Sequence, residues 1–239
     1  MRYPDVPLPP PAGGFILSQH LSDIDPWLAV SRFNPQHYRD ALATAWGIPL
    51  PDRLTQAVNT RRAEYLASRQ LARTVMTQLG IDDFILTNAP DRSPCWPDDV
   101  QASLSHSAGV VALAVTRQPG CCIGVDVEQL MSEATANETA ELLMTSHEQQ
   151  RLRALPIGFN AAATLLFSLK ESLYKALWPQ LHQPMDFQQA VLETVDLSRQ
   201  CATLRLTDHF SDRFTQGTTL QAEFLWREHS VITLLTHQG

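Results

Sequence analysis

The stretch "FSLKESLYKAL", residues 167–177, contains the only two lysines of a 239-residue chain whose other sixteen basic side chains are arginines. Leucines at positions 166, 169, 173 and 177 recur at helical spacing and predict a helix over residues 161–178, with a leucine face that packs on a core. Glu171 and Lys175 lie one helical turn apart on the opposite side of this helix, between aromatic residues. An exposed pair at this spacing contributes only about 0.3 kcal/mol, whereas a pair beside a buried face needs a further partner. The stretch therefore predicts both a core helix and a candidate site.

The pattern around this helix predicts alternating helices and strands. The further predicted elements are a helix over residues 60–79 that ends at Gly80, strands over residues 110–116 and 121–128, a helix over residues 137–144, a helix that begins at Thr145, and strands after residue 190. Thr145 and Glu148 have the spacing of a capping box. Residues 1–55 show no clear period, and prolines and aspartates predict a loop over residues 89–99.

These elements predict an α+β fold with two similar subdomains, residues 1–118 and 119–239. Each subdomain is expected to contain a long helix and antiparallel strands, because each half of the sequence offers one long amphipathic segment and several short alternating ones. The length suits one large domain or two small ones that share an interface.

Composition excludes several functional classes. The formal net charge of -7 argues against broad nucleic-acid binding, which requires a basic surface. The sequence has no run of 18 apolar residues and its start has no signal-peptide pattern, so neither a membrane span nor secretion is expected. The four cysteines, at positions 95, 121, 122 and 201, have no metal-ligand spacing and are interpreted as reduced thiols of a cytoplasmic protein.

Two carboxylates stand two residues apart in "GVDVE", residues 124–128. Asp126 and Glu128 share one face of the predicted strand, and the valines between them point to the other face. A solvated strand edge is one interpretation of such a pair. The other is a divalent cation held by Asp126, Glu128 and Glu171, and a donor set made only of carboxylate oxygens favours Mg²⁺ or Mn²⁺. Lys175, one turn after Glu171, is then suited to contact a phosphate oxygen.

A histidine and several arginines complete the candidate residues. In "SLSHSAG", residues 103–109, His106 is predicted to lie in a turn open enough to admit a ligand, although a structural histidine is the alternative. A helical wheel over residues 60–79 brings Arg62, Arg69 and Arg73 to one side. Such a local cluster favours a polyanionic ligand despite the negative net charge.

The segments "SLSHSAGVVALAV", "GVDVE" and "FSLKESLYKAL", in this order and spacing, resemble the three motif blocks of the 4′-phosphopantetheinyl transferases. The length is similar to the surfactin-type branch, and "RRAEYLASRQLAR" and "RSPCWP" resemble the enterobactin synthase component D group within it. The resemblance covers residues 60 to 178. It implies a pseudodimer of two α/β subdomains with the active site in the cleft between them.

The reaction that this resemblance implies is the transfer of phosphopantetheine from coenzyme A to a serine of a carrier protein, with release of 3′,5′-ADP. The resemblance assigns Asp126, Glu128 and Glu171 to Mg²⁺, with Mn²⁺ as an alternative. It also makes Glu171 the candidate base for the serine hydroxyl, and Lys175 the lysine at the phosphates that assists the departing ADP.

Further residues are assigned to the phosphates of coenzyme A by the same resemblance. Ser105 and His106 correspond to positions that touch these phosphates, and His106 is counted among the catalytic residues. Arg61 and Arg69 resemble the pair that grips the 3′-phosphate, with Arg62 expected to share that work. The helical wheel favours Arg62 as the partner of Arg69, whereas the resemblance favours Arg61.

One departure from the family concerns the loop before the first motif block. Ser93 stands where many relatives carry a lysine directly before the proline of this loop. Arg92, one position earlier, is expected to reach the same phosphate.

The expected partner is an apo carrier domain of a siderophore-type peptide synthetase, with a carrier protein of fatty-acid or polyketide synthesis as the alternative. A monomer is expected, without nucleic-acid or membrane partners. Two other functions remain open: a Mg²⁺-dependent phosphohydrolase that uses the same acids, and a module that binds coenzyme A without transferring it.

Overall fold

The computed structural model describes residues 4–238, and the chain divides into two compact units with the boundary between Arg117 and Gln118. Each unit contains a five-stranded sheet and a separate hydrophobic core. The predicted α+β class with two sheet-containing halves is therefore confirmed. Among the residues described, no helix has both the length and the apolar character needed to cross a membrane.

The N-terminal unit packs a long helix on an antiparallel sheet. Its elements are strands β1 (Val6–Leu8), β2 (Ile16–Leu21) and β3 (Trp27–Phe33), helices α1 (Asp40–Ala45) and α2 (Asn59–Gln78), and strands β4 (Thr87–Asn88), β5 (Pro94–Cys95), β6 (Gln101–Ser107) and β7 (Val110–Thr116). The sheet has the order β1-β2-β3-β7-β6. Helix α2 buries Leu66, Leu71 and Val75 in the core of this unit.

Three strands of this sheet lie in the region where the sequence shows no period. Strand β3 runs between β2 and β7, and its residues 28–31 are buried without interruption. A strand buried on both faces has no polar alternation, so periodicity does not reveal it. The loop expected over residues 89–99 also contains a short strand, because β5 pairs with β4 in a two-residue ladder.

The predicted turn around His106 is wrong, because residues 101–107 form strand β6. Strands β6 and β7 make a hairpin, with Ser107 opposite Val110. The turn consists only of Ala108 and Gly109, whose φ angles of 45° and 79° are both left-handed. Glycine is needed at position 109, since a Cβ atom there would lie 2.9 Å from the Phe33 carbonyl oxygen. Two left-handed residues match the twist of a tight hairpin.

The C-terminal unit repeats the combination of a sheet and a long helix. Its elements are strand β8 (Cys122–Gln129), helices α3 (Glu133–Leu143), α4 (Ser146–Arg153) and α5 (Phe159–Leu181), and strands β9 (Ala190–Asp196), β10 (Cys201–Leu206), β11 (Thr219–Arg227) and β12 (Ser230–His237). The sheet has the order β8-β12-β11-β10-β9.

The elements of the C-terminal unit agree with the sequence pattern. Helix α5 contains the predicted range 161–178, and its leucines at positions 166, 169, 173 and 177 belong to the core. Thr145 and Glu148 form the predicted capping box at the start of α4. Helix α3 starts before residue 137, because the Ser132 side chain accepts a hydrogen bond from the Thr135 amide and caps it.

Candidate active site

Strand β8 carries Gly124, Asp126 and Glu128 on the face against which helix α5 packs. A Cβ atom on Gly124 would lie 1.8 Å from the Ser172 carbonyl oxygen, so only glycine allows the strand and helix to approach so closely. Asp126, two residues further along the same face, is 1% exposed. The alternation of the strand thus directs its acidic side chains toward the helix.

The Asp126 carboxylate joins the strand to the helix through both of its oxygens. Lys175 donates to Oδ1 at 2.6 Å, and the Ser168 hydroxyl donates to Oδ2 at 2.8 Å. Ser168 also contacts Thr233, which lies directly opposite Asp126 in the sheet. Charged and neutral donors therefore fix a carboxylate that burial alone would disfavour.

Two further carboxylates share the electrostatic environment of this pair. The pKa of Glu128 is raised to about 7, mainly by burial and next by the negative charge of Asp126; Lys175 opposes the shift and Glu171 adds to it. Burial also raises the pKa of Glu171, where Lys175 opposes the shift and Asp126 adds to it. Three ionised carboxylates with one ammonium leave an excess of negative charge, which disfavours their ionisation unless a cation binds.

The chemistry of these donors fits Mg²⁺. Carboxylate oxygens are the ligands that this ion prefers, and it commonly completes its coordination with water and substrate phosphate rather than with protein side chains. Within residues 4–238, no three His, Cys, Asp or Glu side chains are arranged closely enough to hold a metal ion in this conformation. Asp126 is instead neutralised by the Lys175 ammonium.

Replacement of Glu128 by glutamine should stabilise the metal-free protein at pH 8. The pKa of this carboxyl is raised from 4.5 to about 7 in the folded state, so its contribution to stability is most favourable below pH 4.5 and is lost as the pH rises through 7. With allowance for solvent screening, Glu128→Gln should raise the free energy of unfolding by about 1 to 2 kcal/mol at pH 8 and have little effect at pH 4. Urea unfolding in EDTA measures this difference. An equal effect at both pH values would contradict the raised pKa.

The N-terminal unit contains a separate, strongly basic cavity of about 400 Å³. Its polar lining consists of Arg53, Arg61, Tyr65, Arg69, Asn88, Arg92 and His106. Arg61, Tyr65 and Arg69 come from successive turns of α2, since residues four apart share a helix face. Four guanidinium groups around one cavity make a site for a ligand with several negative charges.

Arg69 is held rigidly in the wall of this cavity. Its guanidinium lies 4.0 Å from the centre of the Tyr65 ring and donates hydrogen bonds to Ser68 and Asn88. Burial lowers the pKa of Arg69, and the charges of Arg53 and Arg61 lower it further while Tyr65 opposes the shift. Burial is the main cause of this shift, and the smaller contributions of Arg53 and Arg61 show that their positive charges lie near Arg69.

The loop after β4 presents Arg92 to the cavity in place of the lysine that is absent at position 93. Arg92 has a left-handed backbone with a φ of 73°, and it lines the cavity. Ser93 is not among the residues that line the cavity, and its hydroxyl donates to the Asp91 carboxylate at 2.6 Å. Arg92 therefore lines the same cavity as Arg61 and Arg69, and its contact with a phosphate stays a prediction.

Only one residue of the Ser105–His106 pair reaches the cavity. His106 lines it, with Nε2 at 3.4 Å from Arg61 and Nδ1 at 3.6 Å from Glu64. Ser105 is buried on the opposite face of β6, since neighbouring strand residues alternate. The cavity is therefore lined by His106 alone of this pair, and the contact of Ser105 with a coenzyme A phosphate stays a prediction.

Arg62 does not line the cavity, contrary to the helical wheel. Its guanidinium donates to both oxygens of Asp40, at 2.8 and 2.9 Å, and to the Asn59 side chain. Arg61 takes the position at the cavity instead. A long side chain in the first turn of a helix follows its local ion pair more than the ideal wheel angle.

Lys170, for which the sequence suggested no role, is part of the core of the C-terminal unit. Its ammonium lies 3.1 Å from Glu148 Oε1 and donates to the Leu143 carbonyl oxygen at 2.9 Å. Both charged side chains are 2% exposed. Burial lowers the pKa of Lys170, and Glu148 opposes this shift. The pair ties helices α4 and α5 together away from the solvent.

Several residues of these two sites were not recognised in the sequence. Ser168 stands two helical turns before Lys175, and this spacing was the available signal. Asn88, Thr233 and Arg53 offered none, because their roles depend on contacts between segments that are distant in sequence.

Comparison with known proteins gives the same result for both halves of the chain. The profile of the 4′-phosphopantetheinyl transferase N-terminal domain matches residues 50–116, and that of the 4′-phosphopantetheinyl transferase superfamily matches residues 122–232. The first range contains the basic cavity, and the second contains the acidic residues of β8 and α5.

The relatives that match this chain are named enterobactin synthase component D or 4′-phosphopantetheinyl transferase. Enterobactin synthase component D of Salmonella typhimurium is 35% identical over 189 residues, which cover 79% of this chain and 77% of the relative. The protein of the same name from Escherichia coli strain K12 is 35% identical over 129 residues, or 54% of this chain and 61% of the relative. 4′-Phosphopantetheinyl transferase PptT of Mycobacterium tuberculosis is 29% identical over 147 residues, or 59% of this chain and 63% of the relative.

Proposed function

The chain belongs to the 4′-phosphopantetheinyl transferase superfamily, and on that premise we propose that it transfers the phosphopantetheine arm of coenzyme A to a serine of an apo carrier protein. The observation that carries this proposal is the Asp126–Lys175 pair between β8 and α5. Glu128 and Glu171 interact electrostatically with this pair, and burial raises the pKa values of both carboxyl groups. This arrangement suits the charge of a diphosphate with its cation.

In the proposed reaction, the serine oxygen forms a bond to the phosphorus that carries pantetheine. The bond from that phosphorus to the bridging oxygen breaks, and this oxygen leaves with 3′,5′-ADP. The serine hydroxyl loses its proton to a base. Because the protein forms no covalent bond to the transferred group in this reaction, alignment and charge neutralisation account for most of the catalysis.

We assign Asp126, Glu128 and Glu171 to Mg²⁺, which would supply neutralisation of the diphosphate charge when bound. Glu171 accepts the serine proton, directly or through a water molecule that it hydrogen-bonds. Its position on α5, one helical turn before Lys175, supports this role, because the carboxylate then lies on the same helix face as the proposed phosphate contact.

The cationic side chains neutralise the remaining negative charge of the phosphates. Lys175 holds a phosphate oxygen next to the acidic residues and stabilises the departing ADP. In the basic cavity, Arg61 and Arg69 bind the 3′-phosphate, and Arg92 and His106 donate to phosphate oxygens. Four arginines around one cavity support this assignment.

Replacement of Arg69 by alanine should raise the KM for coenzyme A about thirtyfold and leave the KM for dephospho-coenzyme A within about threefold of wild type. The reason is that only the first ligand carries the 3′-phosphate that Arg69 is proposed to bind. Steady-state transfer assays with the two ligands give this comparison.

Arg62→Ala is the matched control for this experiment. Arg62 belongs to the same helix but pairs with Asp40 outside the cavity, so its loss should leave the ratio of the two KM values unchanged. Equal losses for both ligands in Arg69→Ala would remove the proposed role of that arginine.

The proposed partner is a carrier domain of a siderophore-type peptide synthetase, as suggested by relatives named enterobactin synthase component D. A carrier protein of fatty-acid or polyketide synthesis is the alternative. Since coenzyme A and such carriers are found in the cytoplasm, we assign the chain to that compartment, with a monomer as the acting form.

One experiment tests the proposed function against its rivals. The protein is incubated with coenzyme A and a panel of apo carriers, with Mg²⁺ or with EDTA, and each carrier is analysed by mass spectrometry. A phosphopantetheine adduct that requires Mg²⁺ supports transfer. Cleavage of coenzyme A without any carrier would instead favour a phosphohydrolase, and binding without either product would favour a binding module.

A further inference from the structure

Glu148 is a buried carboxylate that joins three segments of the C-terminal unit. Its Oε2 atom accepts hydrogen bonds from the Thr145 amide at 2.8 Å and from the Thr145 hydroxyl at 3.1 Å, at the start of α4. Its Oε1 atom accepts from the Leu192 amide of β9 at 2.8 Å and lies 3.1 Å from the Lys170 ammonium of α5. Lys170 donates in addition to the carbonyl oxygen of Leu143, the last residue of α3. The ion pair therefore connects α5 to α3, α4 and β9 at a single point.

The stability of the fold gives no sufficient reason for an ion pair at this place. Both side chains are 2% exposed. The cost of removing two charges from water offsets most of their attraction, so an apolar pair of similar volume would be about as stable. Hydrogen bonds to charged groups are directional, however, and they allow fewer helix orientations than leucine contacts do. The pair is therefore better suited to fixing the orientation of α5 than to stabilising the unit.

Helix α5 is held at two positions around its circumference. Ser168 contacts Asp126 of β8, whereas Lys170 contacts Glu148 of α4. At about 100° per residue, these two helix positions are about 160° apart. Glu171 lies between them, because it is about 60° from Ser168 on the side toward Lys170. The two contacts together fix the rotation of the helix about its axis, and with it the direction of the Glu171 side chain.

We propose that Lys170 and Glu148 are positioning residues, which set the rotation of α5 so that Glu171 faces the carboxylates of β8. This inference rests on the proposed function, because it takes Glu171 to bind Mg²⁺ and to accept the serine proton. A displacement of about 1 Å at such a group lowers the rate by as much as about a hundredfold. Direct contact with substrate is the alternative, because Lys170 and Glu171 both line a cavity of about 220 Å³.

The test is the double variant Lys170→Met/Glu148→Gln, which removes both charges at similar volume. Glutamine keeps an oxygen acceptor for the Leu192 amide, so the melting temperature should stay within about 4 °C of wild type. In transfer assays, kcat should fall about tenfold while the KM for coenzyme A stays within about twofold. The dissociation constant for Mg²⁺, measured by calorimetry on the full chain, should rise about fivefold, because Glu171 no longer faces β8.

Thr164→Val is the matched control on the same helix. The buried Thr164 hydroxyl accepts from the Met131 amide at 3.0 Å and donates to the Asn160 carbonyl oxygen at 2.7 Å. Its loss should lower the melting temperature, because it leaves a backbone amide without this acceptor. Since Thr164 lies about two helical turns before Glu171, kcat and the dissociation constant for Mg²⁺ should stay within about twofold. A purely structural role of the ion pair predicts this same pattern for the double variant.

The outcomes separate the positioning role from its alternatives. Wild-type kcat and Mg²⁺ affinity in the folded double variant would overturn it, and so would a raised KM with unchanged kcat, which would show that Lys170 binds substrate. If the double variant does not fold, Glu148→Gln alone, which keeps the shape and an oxygen acceptor, is judged by the same criteria. If wild type binds Mg²⁺ but modifies no carrier, the proposed function fails, and the dissociation constants for Mg²⁺ still decide whether Lys170 and Glu148 position Glu171.

Discussion

Substitution of Asp126 by asparagine should lower Mg²⁺-dependent transfer by about a thousandfold or more. Asparagine keeps the volume of this buried side chain and can still accept from Ser168, but it lacks the charge that holds Lys175 and that would bind a cation. Transfer is measured by mass spectrometry of the carrier over a range of Mg²⁺ concentrations, and circular dichroism reports whether the fold is retained. Lys175 remains 28% exposed and can be hydrated when its partner is lost, so we expect the variant to fold.

The matched control for Asp126→Asn is Glu193→Gln, which removes a carboxylate from strand β9 of the same unit. Glu193 is 42% exposed and pairs with Arg205 at 3.5 Å, so its loss should leave turnover within about twofold. A second measurement is the shift in melting temperature with Mg²⁺, which wild type should show and Asp126→Asn should lack. Wild-type turnover in Asp126→Asn would refute the proposed cation site.

The second large effect is expected from Gly124→Ala, which should lower the free energy of unfolding by about 3 kcal/mol or more. The added Cβ atom would meet the Ser172 carbonyl oxygen at 1.8 Å and the Ala176 amide nitrogen at 2.6 Å. Both are backbone atoms of α5, so no rotamer change can relieve the contact and the helix must move. That movement separates the carboxylates of β8 from Glu171 and Lys175, and transfer should fall as well.

Urea unfolding of Gly124→Ala beside Gly120→Ala distinguishes this contact from a general effect of replacing glycine. Gly120 has a φ of 73°, and a Cβ atom there would meet no heavy atom within 4 Å. Its replacement should therefore cost only about 1 kcal/mol, from the left-handed backbone alone. Equal losses in the two variants would show that the close approach of β8 and α5 has little effect on stability.

The sequence predicted the C-terminal unit well because its pattern is local. The leucine spacing of α5 and the alternation of β8 follow directly from helix and strand periodicity, and they bring Asp126, Glu171 and Lys175 to facing surfaces. The hydrogen bond from Ser168 to Asp126 joins residues that are 42 positions apart. A contact of that kind depends on the packing of two elements, which periodicity does not specify.

The N-terminal unit was predicted less well because its structure depends more on packing between elements than on local periodicity. Strand β3 is buried without alternation, so neither its place in the sheet nor the surrounding strands could be inferred. Arg62 was expected at the phosphate site, but Asp40 from α1 binds it elsewhere. Arg53 entered the site without any motif, because a short turn with one buried leucine brings it there.

The two lysines of the chain differ in their exposure to solvent, so a reagent that reacts with amines can modify one and not the other. The Lys170 ammonium is enclosed with Glu148 at 2% exposure, whereas Lys175 is 28% exposed. A reagent that forms imines with amines, such as pyridoxal phosphate, therefore finds Lys175 as the one side-chain amine that it can reach in residues 4–238. Covalent labelling confined to that position, apart from the amino terminus, would report directly on whether a ligand protects the acidic residues around it.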